Sequence, residues 1–238
     1  MKKGFTLAEV LITLAVIGIV AAITIPVVVT NYQKKAQYTQ FMKAYNTLQT
    51  AINLSTADNG DISSWSYGSN DNERAAAFKK YLGNYLKVAQ DCTDDPSACG
   101  VSNQVPINAL NSDSLQGATY ADIIGSDGYV TNVYLLQDGS LVIPWGGERI
   151  DAIYIDTNGT KGPNTFGRDF FAFMNVTVGD KDSFAPAGMY DWDGEGYAAN
   201  TLEDIKTSSN DDINCSTTVE SIGVGCAARL LLEGKMDY

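Results

Sequence analysis

Three groups of residues have the types and spacing to do chemistry. The first is Glu9, a lone carboxylate in the otherwise apolar run of residues 5–25. A charge inside a bilayer-spanning helix costs roughly 2.5–3.5 kcal/mol on insertion scales and calls for a cationic partner. The second is the loop "IDTNGTKGPNTFGRD". There Asp156, Asn158 and Asp169, helped by Thr160 or backbone carbonyls, supply the oxygen ligands that calcium takes. The spacing lacks the EF-hand pattern and its bidentate glutamate, and Lys161 and Arg168 stand among the candidates. Turn chemistry at Asn158-Gly159 and Gly162-Pro163 explains the same residues as a rigid loop. The expectation is therefore no cofactor, with calcium at Asp156, Asn158 and Asp169 as the alternative. The third group is four cysteines in two close pairs, Cys92/Cys99 and Cys215/Cys226. In an exported chain, pairs in polar, turn-rich loops suggest two small cystine loops. Other pairings, and four reduced thiols, stay open. A further acidic cluster, Asp191, Asp193 and Glu195 in "YDWDGEGY", reads as a solvated turn.

Composition narrows the chemistry further. The chain has no histidine, which removes Ser-His-Asp triads, Cys-His dyads and most zinc sites. No nucleophile–base constellation stands out, so the expectation is not an enzyme. Gly223 to Ala228 spell a dinucleotide fingerprint by letters, but no strand–helix–strand pattern surrounds them. The net charge is −12, and no basic residue lies between Lys87 and Arg149 while acidic ones accumulate there. Such a surface repels phosphate backbones, so nucleic acid is not an expected partner.

These residues must be held by a small set of elements. Residues 5–25 make a helix of about 32 Å, the thickness of a bilayer core. Lys2 and Lys3 on its amino side place the rest of the chain outside the cytoplasm. The run is too long for a secretory signal and leads directly into more helix, so it should remain. Pro26 removes a backbone donor and should kink the helix. Beyond it Tyr38, Phe41, Tyr45, Leu48 and Ile52 recur at steps of three and four, an amphipathic helix to about residue 57. A polar stretch follows. Asn70 and Glu73 then suggest a capping-box-like start to a second amphipathic helix over residues 73–89. "YVTNVYLLQ" and "LVIPWG" flank Asp138-Gly139 as a hairpin, with "RIDAIYID" and "DFFAFMNVTVG" as further strands. The fold class is α+β, an antiparallel sheet resting on the amphipathic half of the long helix.

Gly4-Phe5-Thr6-Leu7-Ala8-Glu9, followed by apolar residues through Ile25 and then Pro26, closely resembles the amino terminus of type IV pilins and the pseudopilins of type II secretion. The resemblance implies the pilin fold: a leader at residues 1–4, a long helix at 5–57 with its transmembrane part at about 5–25, and a head at 58–238. It also implies that a prepilin peptidase cuts between Gly4 and Phe5 and methylates the new amino group of Phe5. The helix then serves first as a membrane anchor and later as the core of a filament, with Glu9 and Pro26 as assembly residues. The physical chemistry agrees. The new amine is cationic at neutral pH, and Phe5 and Glu9, four apart, share a helix face. Glu9 can meet the amine of its own subunit or of a neighbour; snorkelling to the interface is the alternative, and with the whole motif present the pairing is the expectation. The expected function is a structural subunit of a type IV pilus-like filament. The alternatives are a pseudopilin forming a short periplasmic fibre, or a membrane-tethered ligand-binding head. Implied partners are identical or related pilin subunits, prepilin peptidase, the pilus or type II secretion assembly machinery, and the membrane. The implied location is the inner membrane as a single-pass protein, then an extracellular pilus or periplasmic pseudopilus. The closing segment "GCAARLLLEGKMDY" also looks pilin-like, whereas residues 91–129 have no counterpart.

Overall fold

The computed structural model describes residues 4, 6–124, 130–178, 181–189, 201–210 and 213–238. A single helix, α1 (Leu7–Asn59), dominates it and runs on through Pro26. Thr6 caps its start, and Gly60 at φ 83° ends it while donating its N–H to the Thr56 carbonyl. The first half of α1 is exposed along its length, from Leu7 at 78% to Ile23 at 68%. The second half buries Phe41, Ala44, Leu48, Ala51 and Ile52, the positions that three- and four-residue spacing places on one face.

Among the described residues the strands form one antiparallel sheet: β1 (Val88–Asp91), β2 (Val130–Thr131), β3 (Tyr134–Leu136), β4 (Leu141–Gly146), β5 (Ala152–Asp156), β6 (Phe170–Val178) and β7 (Lys181–Pro186). Their order is β1-β3-β4-β5-β6-β7, with the short β2 pairing beside β4. The β3–β4 turn falls at Asp138-Gly139, as the dipeptide predicts. Gly139 takes φ 88°, and the Asp138 carboxylate accepts from the Ser140 amide and hydroxyl at 3.1 and 2.6 Å.

Side chains alternate across this sheet with period two, and both faces are covered. Phe171 and Phe173 of β6 and Ile153 and Ile155 of β5 face α1, where Phe41 meets Phe171 at 4.7 Å between ring centroids. Phe170, Ala172 and Met174 face the opposite way, into a second core with Ile143, Tyr154, Ile107 and Tyr120. That second cover includes α3 (Tyr120–Ile124) and the loop before it, the stretch for which the sequence offered no counterpart. Sheets covered on both faces read as near-continuous apolar strands, as β4 and β5 do.

The second helix is shorter than the periodicity predicts. Asn70 caps α2 (Asp71–Tyr81) by accepting from the Glu73 amide, while the Glu73 carboxylate reaches back to the Ser69 amide at 2.7 Å. The helix stops at Tyr81 instead of continuing to residue 89, and Val88–Asp91 becomes edge strand β1. Gly83 is a poor helix former and lies against Tyr134, whose hydroxyl would sit 2.8 Å from a side chain placed there. Free backbone groups on β3 then recruit the following residues as a strand, at Gln90 opposite Leu135 and Asp91 opposite Tyr134.

Two helices close the chain, α4 (Leu202–Thr207) and α5 (Cys226–Glu233). Arg229 of α5 is buried and fully employed. Its guanidinium donates to the Glu233 carboxylate, the Cys215 carbonyl and the Asp237 carboxylate at 3.1, 2.8 and 3.2 Å, and lies 4.5 Å over the Tyr238 ring. Tyr238 in turn donates to the Gly167 carbonyl at 2.8 Å, which ties the closing tail to the segment leading into β6.

Candidate functional site

The amino end of α1 is the site that the sequence singles out, and the structure gives Glu9 a partner there. Thr6 has an extended backbone and accepts from the Glu9 amide through its hydroxyl at 3.3 Å. One oxygen of the Glu9 carboxylate accepts from the Thr6 amide and the Thr6 hydroxyl, both at 2.8 Å. This is a reciprocal capping box, which satisfies two of the donors that a helix start leaves open. The carboxylate also lies in the first turn, where the helix dipole favours a negative charge. Glu9 is exposed, and its other oxygen takes no hydrogen bond among the described residues. Sequence reasoning treated Glu9 as a charge awaiting an amine and missed this cap. The signal was present: Thr6-Leu7-Ala8-Glu9 before an apolar run has the spacing of a capping box.

Gly4 is exposed; Phe5, the residue expected to carry the methylated amine, lies outside the described residues, as do Lys2 and Lys3. Around Glu9 the helix presents a mostly apolar surface, with Leu11 at 57% and Leu14 at 61% exposed. Helix α1 is long and apolar enough to cross a membrane. Pro26 lies within it, and the helix continues beyond it. What this end offers chemically is a ready-wound helix, a sheath of hydrocarbon, and one acceptor oxygen near the tip.

The head holds the other candidates. Cys92 is joined to Cys99 and Cys215 to Cys226. The second bridge ties the loop before α5 to its first residue, which also disposes of any nucleotide-binding reading of Gly223 to Ala228. Asp191, Asp193 and Glu195 lie outside the described residues.

The loop between β5 and β6 does bring Asp156, Asn158 and Asp169 together, but as a hydrogen-bonded knot. Asp156 accepts from the Tyr120 hydroxyl and from the Asn158 amide. Asp169 accepts from the Asn158 side-chain amide, the Asn164 amide and the Thr165 amide at 3.1, 3.0 and 2.7 Å. Burial pushes the Asp156 carboxyl up to about 7, and the nearby Asp169 charge adds to this against the bonds from Tyr120 and Asn158. Burial and the Asp156 charge also push the Tyr120 phenol up. As a test of fit, calcium needs six or more oxygens aimed at one point, whereas these carboxylates are already occupied by protein donors. No group of three or more His, Cys, Asp or Glu among the described residues is placed to hold a metal ion. The Thr157 hydroxyl and the Asn158 side-chain oxygen are buried without a partner, and Thr160 lies against Gly100 instead of closing a shell.

Comparison with known proteins finds a match at this end of the chain and a second one beyond it. Residues 1–25 match the prokaryotic N-terminal methylation motif, and residues 27–105 match a family of unknown function, DUF6613. Prepilin peptidase-dependent protein D of Escherichia coli (strain K12) is 33% identical over 69 residues, 29% of this chain and 47% of that protein. Type IV major fimbrial protein FimA of Dichelobacter nodosus is 41% identical over 58 residues, 24% of this chain and 36% of that protein. The chain thus spans less than half the length of these curated relatives. No solved structure matches it. The chain carries a prepilin-type amino terminus on a pilin-like α+β architecture.

Proposed function

We propose that the protein is a structural subunit of a type IV pilus-like filament. It is anchored in the membrane by residues 5–25, cut between Gly4 and Phe5, methylated at Phe5, and assembled through α1 with identical or related subunits. The observation that carries this reading is the Thr6–Glu9 cap on a helix whose apolar first half is exposed. An exposed hydrocarbon surface of this length needs lipid or other helices around it. The cap keeps the carboxylate satisfied at the helix tip until a neighbouring Phe5 amine approaches, and the oxygen that Thr6 does not use can accept from that amine.

The head fits a scaffold more than a catalyst, since the buried carboxylates Asp156 and Asp169 and the Tyr120 and Tyr238 phenols are engaged by protein groups. The Asp156–Asp169 loop works in this reading without a metal. The similarity to a fimbrial protein favours a surface pilus over a secretion fibre, as does the cystine loop at Cys215–Cys226.

The test is assembly in a host with prepilin peptidase and a pilus machine. Electron microscopy of sheared material should show fibres whose main band begins with methylated Phe5. Glu9→Val should abolish them at unchanged subunit level. Undiminished fibres from Glu9→Val would overturn the proposal, and a secretion defect without fibres would reassign the subunit to a pseudopilus.

A further inference from the structure

The face of α1 that carries Phe41 and Leu48 into the core continues toward the apolar half as Asn31, Lys34, Lys35 and Tyr38, again at helical spacings of three and four. What lies beside this part of the face is the closing tail. Gly234 to Asp237 and these α1 residues line a cavity of about 560 Å³. Three lysines therefore meet in one concavity. Lys34 and Lys35 have no ion pair among the described residues, and between Glu9 and Asp58 the helix carries no acidic residue to offset them. Lys235 pairs with Asp237 at 2.9 Å, a carboxylate that also serves Arg229. On a chain of net charge −12 this is a concentrated positive spot.

Its height along the helix matters as much as its charge. Exposed apolar side chains reach Val29, and Tyr32 beyond them is 73% exposed. Lys34 and Lys35 follow five and six residues after Val29, about 8–9 Å along the axis. With the apolar half in a bilayer that is the depth of the lipid headgroups, and Tyr32 falls where membrane proteins place an aromatic belt.

We propose that this concavity seats the phosphate of an anionic membrane lipid, held between α1 and the closing tail while the subunit waits in the membrane. The inference rests on the reading of the apolar half of α1 as a membrane span, with its exposed apolar surface continuing past residue 25 to Val29. The acidic face of a second copy would also match the charge. The seat, however, lies within a turn of the exposed Tyr32, at a depth where phosphates are already concentrated. Each lysine near an anionic surface adds about fivefold in affinity, within a Debye length. Leaving the membrane for a filament breaks this contact, so anionic lipid holds the unassembled subunit back.

The experiment uses the full chain in nanodiscs of phosphatidylcholine, with or without phosphatidylglycerol. Amine acylation is read residue by residue by mass spectrometry. Phosphatidylglycerol should lower labelling of Lys34, Lys35 and Lys235 on the order of tenfold and leave the exposed Lys161 unchanged. The triple variant K34Q/K35Q/K235Q should retain phosphatidylglycerol on the order of a hundredfold less in native mass spectrometry. Equal protection by inorganic phosphate in phosphatidylcholine discs would mean a free-anion site and overturn the proposal. Protection that follows the number of copies per disc, whatever the lipid, would mean a subunit interface and overturn it as well. Protection of Lys34 and Lys35 without Lys235 would remove the tail from the seat and overturn the proposal too. The discs contain no assembly machinery, so these outcomes do not depend on whether the protein forms fibres.

Discussion

Removing the Thr6 hydroxyl removes the acceptor for the Glu9 amide and one of the two donors to its carboxylate. Thr6→Ala should therefore loosen the first turn of α1 by about 1 kcal/mol, read as roughly fivefold faster amide exchange at residues 8–10 in detergent. Fibres should persist, because the amine proposed as the partner of Glu9 is untouched. A second effect at this scale belongs to Asp156. Its folded pKa of about 7 exceeds the ordinary carboxylate value of 3.8, so the folded state keeps a proton that the unfolded chain has lost. Stability from this group is fully present below about pH 4 and is lost as pH rises through 7, by on the order of 3 kcal/mol. The melting temperature of the wild type should fall between pH 4.5 and 7.5, and Asp156→Asn should flatten that fall. A steeper fall in the variant would contradict the assignment. Both sites were partly legible in the sequence. The Thr6–Glu9 spacing was there to read, and the lipid-like context drew attention to the charge instead. The partnership of Asp156 with Tyr120 could not be read, since the two are 36 residues apart and meet only when α3 covers the sheet.

At the level of elements, the contact between α1 and the sheet is aromatic. Phe41 lies at 0% exposure, 4.7 Å from Phe171 and 6.4 Å from Phe173 between ring centroids. Phe41→Ala should cost about 3–5 kcal/mol and lower the thermal midpoint of the head, while a change on the exposed face such as Thr39→Ala should stay within about 0.5 kcal/mol. The elements most legible in the sequence had strong local signals: the three- and four-residue stripe of α1, the Asp138-Gly139 turn, and the apolar runs of β4, β5 and β6. Those that escaped have weak ones. β1 is a four-residue edge strand, mostly exposed, whose identity comes from pairing with β3. β7, "KDSFAP", mixes charges and a proline, and is fixed by its register against β6 at Phe184 opposite Asn175. Such strands are specified by the neighbour and not by their own composition.

For the molecule as a whole, the sheet is a shared wall with α1 on one side and the cover containing α3 on the other, tied at the far end by Arg229 and Tyr238. The carboxylates of the β5–β6 loop accept from Tyr120, Asn158, Asn164 and Thr165, and on the proposed reading these bonds hold its shape without an ion. Chelation should leave the melting of the full chain in detergent unchanged, and a drop of several degrees on adding chelator, reversed by calcium, would contradict this. The way α1 is divided also governs how the protein can be handled. A fragment cut where the helix ends, at about residue 58, would leave behind Phe41, Ala44, Leu48, Ala51 and Ile52 and open the sheet face they cover. Solubility and integrity therefore set the boundary from opposite sides. The cut must fall after Val29, to discard the lipid-seeking surface, and before Tyr38, to keep the helix face on which the head is built.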